Sequence, residues 1–231
     1  MGNPHTIVND EFAANWTSTH NTESQRKASL GDPQRFNAEA LNPITRAHDA
    51  LEDGLETLGK LVRDPTRTEV AKHAVAKTVA DRTVSIIETS AASIAATARS
   101  LNSRANEAVE DVFAIDPNRT SIHSEIRGWI RDTAKSEGGI ATIRKAMGGN
   151  PEVAAVLYQS PDFLLGLADD VRANLVAAGI ERHVPKAARF LSDAEALSGL
   201  AIKYGHVVKA VPRAFYNSAL ADQAALRVEV D

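Results

Sequence analysis

From Pro43 onward the apolar positions fall into step. Ile44, His48, Leu51, Leu55, Leu58 and Val62 follow one another by 4-3-4-3-4, the spacing of a heptad seam. This predicts a helix over residues 43–63, with Asn42 as N-cap, Pro43 in the first turn and Pro65 as the stop. Gly54 and Gly59 weaken that helix and leave room for a close neighbour. A second seam follows through Ala80, Val84, Ile87, Ala91, Ile94, Ala98, Leu101, Ala105, Ala108 and Val112. Strict 3.5-residue spacing over this length predicts a left-handed coiled coil. A helix over 66–114 is roughly 70 Å long, and the first, at roughly 30 Å, covers only part of it when folded back as an antiparallel hairpin. The rest of the seam needs the C-terminal helices or a second chain. On this reading Ile87, Ile94, Leu101 and Val112 are the seam contacts.

Shorter segments follow Pro117. Ile122, Ile126, Trp129 and Ile130 mark an amphipathic helix over 120–136. Gly148-Gly149-Asn150-Pro151 is a break that starts another helix. Ser160-Pro161 opens a further one, with Phe163, Leu164, Leu167, Val171 and Leu175 as its buried face and Gly179 as its stop. One or two helices then run to Pro212. The closing "LRVEVD" alternates apolar and polar, as a tail that adds to a partner's sheet edge or frays. Residues 1–41 are polar and without helical period, yet carry Ile7, Val8, Phe12, Trp16 and Phe36. Spaced anchors of this kind suit an arm docked on a neighbour or folded onto its own domain. Phe12, Trp16 and Phe36 are its candidate contacts. The expected fold is all-α: an extended polar arm (1–41), a long coiled-coil-like hairpin (42–116) and a small multi-helix domain (117–231).

Composition narrows the function. In 231 residues, 43% are hydrophobic, enough for a real core, and only 5% are aromatic. The net charge is −4. Few aromatics and an acidic balance disfavour nucleic acid as a partner. Arg26, Lys27 and Arg35 are too few to bind it, and Arg127, Arg131, Arg144 and Lys145 amount at most to a weak anion-binding surface. There is no cysteine, hence no thiolate site. No signal peptide or membrane span is read, though Gly2 and Thr6 match a loose myristoylation pattern. The seven histidines lack metal-ligand spacing. His48 and His73 lie on the seams at different heights, with Lys77 beside them, as register-setting polar groups. The glycine pairs lack a phosphate-loop pattern and no nucleophile elbow occurs. The adjacent carboxylates Asp169-Asp170 and Glu110-Asp111 point apart on a helix. No catalytic, cofactor or metal residue is assigned, and the chain reads as non-enzymatic. An enzyme would need a deep polar pocket near His123, His183 or Tyr204.

Two phrases carry a resemblance: "RDPTRTEVAKHAVAKTVADR" and "EIRGWIRDTAKSEGGIATIRKAMGGNPEVAAVLYQSPDFLLGLADD". Across residues 43–176 the chain resembles a loosely defined group of helical proteins encoded by tailed bacteriophages and prophages. The resemblance brings no functional residues with it. It implies a virion structural or assembly protein, such as a head-associated, decoration, scaffolding or neck component. Such a protein occupies the virion, and the host cytoplasm during assembly. Its partners would be copies of itself and other virion proteins of the capsid or neck. The alternative is a cytoplasmic helical adaptor that binds a protein partner through the hairpin.

Overall fold

The computed structural model describes residues 5–36 and 38–224. The described residues are all-α and contain no strand. The helices are α1 (Glu11–His20), α2 (Glu23–Leu30), α3 (Ala38–Arg63), α4 (Glu69–Val112), α5 (Thr120–Thr133), α6 (Gly139–Gly149), α7 (Pro151–Gln159), α8 (Asp162–Leu165), α9 (Asp169–His183), α10 (Pro185–Phe215) and α11 (Ser218–Gln223). Short 3₁₀ turns at Pro33–Arg35 and Pro117–Arg119 precede α3 and α5. Gly2 and the "LRVEVD" tail lie outside the described residues.

The chain divides into two compact units. The first combines the chain up to Ala98 with residues from Glu195 onward, and the second is Arg99–Ala194. The expected boundaries at 42 and 117 are therefore displaced. The N-terminal segment, α3 and the first part of α4 share a unit with the end of α10, and α4 and α10 each contribute to both units.

The first unit is built on the α3 stripe. Ile44, His48, Leu51, Leu55 and Leu58 are buried, with Leu61 rather than Val62 as the last inward residue. α3 starts at Ala38, upstream of the expected Pro43, which lies inside it. Five residues link α3 to α4. Thr83 Oγ1 donates to Ala50 O at 3.4 Å, joining positions almost equally far from that linker, as a helical hairpin requires. A Cβ on Gly54 would lie 2.8 Å from Thr83 Oγ1 and 3.1 Å from the Phe215 ring. The glycine therefore allows α3, α4 and α10 to approach within one unit.

The N-terminal segment is not extended. Asp10 caps α1 by accepting from Phe12 N, and Thr22 caps α2 by accepting from Gln25 N. Ala13, Thr17, His20, Arg26 and Leu30 face inward. Tyr204 Oη donates to Leu30 O at 2.9 Å, and His48 Nε2 donates to Gly31 O at 2.8 Å. Arg26 donates to His20 O and Asn21 O and pairs with Glu52 at 2.7 Å. This segment reads as polar because four of its six buried positions, Thr6, Thr17, His20 and Arg26, are polar.

The second unit packs the end of α4 with α5 to α9 and the start of α10. Its core includes Phe113, Ile130, Ile143, Met147, Leu157, Leu175 and Val184. Gly166, at φ +63°, separates α8 from α9, so the expected single buried face breaks there. Phe163 is 80% exposed, while Leu165, Leu167 and Leu175 are buried. Gly179 does not stop α9. A Cβ there would come 3.3 Å from Ala154 Cβ and Met147 Sδ, so glycine serves close packing. α10 likewise passes through Pro212 to Phe215.

Candidate interaction surface

The predicted seam is inside the chain. Ile87, Ile94 and Leu101 have no exposed surface in the single chain. Along α4 the buried positions are His73, Ala76, Ala80, Thr83, Ile87, Ser90, Ile94, Ala98, Leu101, Ala105 and Val109. Ten steps span 36 residues, the 3.6 period of a straight helix. The coiled-coil expectation fails for that reason. At 3.5 residues per step its register drifts, and it ends on Val112, which is 48% exposed. The neighbouring Phe113 is the buried one.

The expected arm contacts meet their own unit. The Arg213 guanidinium lies 3.9 Å above the Phe12 ring. Trp16 stacks on His20 at 4.1 Å and meets Phe215 edge-on at 6.3 Å. Phe36 is half-buried.

Large apolar side chains left open to solvent include Leu41, Phe163, Ile202 and two on α5. His123 and Ile130 are buried, whereas Ile122 and Trp129, each one residue earlier, are 39% and 38% exposed. One residue is about 100° of helix, so the helix presents two apolar faces and buries one. The buried face is held by a polar cluster. His123 Nε2 lies 3.0 Å from Glu152 Oε1, and Arg119 Nη2 lies 3.0 Å from Glu152 Oε2. Ile126, between Ile122 and Trp129 in the sequence, is half-buried and packs against the core of the second unit. Val112, the last residue of α4, and Ile115, in the connection to α5, are also exposed. Glu110, Asp111, Asp116, Glu125 and Asp132, all exposed, accompany these positions. Asp132 already meets Lys135 at 3.3 Å. The sequence pattern groups Ile122, Ile126, Trp129 and Ile130 as the apolar positions of an amphipathic helix, without separating the buried from the exposed ones. The signal that could have separated them was the width of the apolar arc.

His183 and Tyr204 hydrogen-bond to backbone carbonyls within their own units. His183 Nε2 lies 2.8 Å from Met147 O. Tyr204 is fully buried, and burial pushes its hydroxyl well above the usual tyrosine range. A cleft of about 650 Å³ in the first unit is lined by residues including Val8, Asp10, Glu69, His73, Arg213 and Tyr216. His73 Nδ1 accepts from Asn217 N at 3.0 Å, and burial lowers its pKa. Lys77 meets Asp222 at 3.2 Å. Arg131, Arg144 and Lys145 are exposed and Arg127 is half-buried. Among the described residues no group of three His, Asp or Glu could hold a metal ion. No helix there is long and apolar enough to cross a membrane. No family model, curated protein or solved structure matches the chain.

Proposed function

We propose that this chain is a non-enzymatic structural or assembly component of a tailed-phage particle that docks on other particle proteins through the exposed side of α5. The observation that carries the reading is that α5 leaves Ile122 and Trp129 exposed while the adjacent His123 and Ile130 are buried. Exposed large apolar side chains on one helix face are the kind of surface that interaction sites use, and tryptophan is favoured at their centres. The sequence resemblance supplies the biological setting. The mechanism differs from seam and arm exchange, because the seam residues are covered by their own chain.

The test is mass spectrometry of gradient-purified particles, counting this chain against the major capsid protein. The comparison is a variant carrying Ile122→Ser and Trp129→Ser. The wild type is expected at a fixed copy ratio. The variant, folded by circular dichroism, is expected to be missing. Wild-type incorporation of the variant overturns the docking surface. Absence of the wild type from both particles and assembly intermediates overturns the virion reading in favour of the cytoplasmic adaptor.

A further inference from the structure

α11 is a six-residue helix of the first unit, and Ala221 is its buried residue. A helix this short does not stand without outside support. Lys77 meets Asp222 at 3.2 Å, but the pair is exposed and contributes little. Asn217 caps the helix, its Oδ1 accepting from Ala219 N and Leu220 N. The backbone N of the same residue donates to His73 Nδ1 of α4 at 3.0 Å. Upstream, α10 ends at the fully buried Phe215, and Tyr216 and Asn217 belong to neither helix. A fixed helix end, two non-helical residues and a lightly held short helix make a hinge.

The tie to His73 depends on its charge. The ring is 2% exposed, and only its neutral form accepts a hydrogen bond. The charged groups that face it are Glu69 and Lys72 on α4, Asp10 before α1 and Arg213 at the end of α10, with Tyr216 beside them. Glu69 meets Lys72 at 3.2 Å, and Asp10 lies 3.7 Å from Arg213. Each carboxylate is offset by a cation, so neither stands free to hold an imidazolium in the closed arrangement. Burial lowers the proton affinity of the ring, and Glu69 opposes this only in part.

We propose that α11 is an acid-released flap. Protonated His73 expels the Asn217 N–H, and α11 turns away from α4 about Tyr216 and Asn217. Ser218 and Leu220 line the cleft of the first unit together with Ile7, Val8 and Pro212, so the movement removes one wall and uncovers apolar side chains. The open form takes up the proton more readily than the closed one. Opening is therefore favoured by up to about tenfold per pH unit below about pH 6.5. The flap lies in the first unit and does not depend on the α5 surface.

The experiment is nuclear magnetic resonance on the full chain between pH 7.5 and pH 5.5. It follows the imidazole nitrogen shifts of His73 and the hydrogen-exchange protection of the Ala221 amide, corrected for its intrinsic rate. That amide donates to Asn217 O at 3.0 Å inside the flap. The amides of Leu55 and Ile87, buried on α3 and α4, report on the unit as a whole. Ala221 is expected to be at least about tenfold less protected than these two, as befits a local opening. Its protection should fall in step with the ring titration. In His73→Gln, which keeps an acceptor that does not titrate, it should stay level. Equal protection of Ala221, Leu55 and Ile87 at pH 5.5 would mean that the unit opens only as a whole, and overturns the flap. A ring that titrates without loss of Ala221 protection overturns it too, and this reading needs no variant. So does His73→Gln losing protection as steeply as the wild type.

Discussion

His73 joins three features in one side chain. It is 2% exposed, it lines the cleft of the first unit, and its Nδ1 accepts the backbone N–H of Asn217 at the start of α11. A ring that accepts at Nδ1 carries its neutral-state proton on Nε2. Protonation removes the acceptor and sets N–H against N–H. Burial holds the pKa below the ordinary histidine value; Glu69 opposes this and Lys72 adds to it. Asp10, Arg213 and Tyr216 also line the cleft. His20, stacked on Trp16, is lowered as well, first by burial. The sign follows from linkage. The unfolded chain takes up the proton first as pH falls, so stability is lost from about pH 6.5 downward. The thermal midpoint should therefore fall between pH 7 and pH 5 more steeply in the wild type than in His73→Gln. Gln retains an acceptor but does not titrate. Parallel slopes would assign the acid sensitivity to other groups.

At the scale of elements, α4 decides between an internal and a shared seam. Its buried stripe is completed by the same chain, so Ile94→Ala should cost about 2–5 kcal/mol, as for other large-to-small core changes. Val112→Ala should cost almost nothing. Urea denaturation would measure both, and the Ile94→Ala midpoint should not vary with protein concentration. A concentration-dependent midpoint would mean that a second chain completes the stripe. Much of this was legible in the sequence. The all-α class followed from periodicity, and the α3 stripe from Ile44 to Leu58 was placed correctly. The α4 register failed where small residues made two neighbouring stripes almost equal. Val84 and Ala91 look better than Thr83 and Ser90, yet the latter pair is buried. The hydroxyl of Thr83 reaches a carbonyl of α3 across the space left by Gly54, a tertiary fact that no one-dimensional pattern carries. The same limit hid the N-terminal helices, whose inward side includes Arg26 and His20. It also hid the open side of α5, because periodicity marks apolar positions without saying which of two apolar faces finds a neighbour.

At the scale of the whole molecule, two units share two unbroken helices. α4 passes the boundary at Ala98 and α10 passes it at Glu195. Melting either unit strips packing from one end of each shared helix, and helix formation is cooperative along its length. The chain should therefore unfold in a single transition. Its two tryptophans make the test direct, because Trp16 lies in the first unit and Trp129 in the second. Trp16→Phe leaves a reporter on the second unit, and Trp129→Phe leaves one on the first. Their fluorescence unfolding curves in urea should coincide in an otherwise wild-type chain. The exposed Asn102, just inside the second unit, is the place to cut the coupling. Asn102→Pro removes the hydrogen bond to Ala98 O and drives the proline ring against that carbonyl, a break worth about 3 kcal/mol or more. In that background the two reporters should separate into distinct transitions, while far-ultraviolet circular dichroism of the folded protein changes little. Curves that already diverge without the proline would show that the units melt independently despite the shared helices. Curves that still coincide with it would place the coupling outside α4.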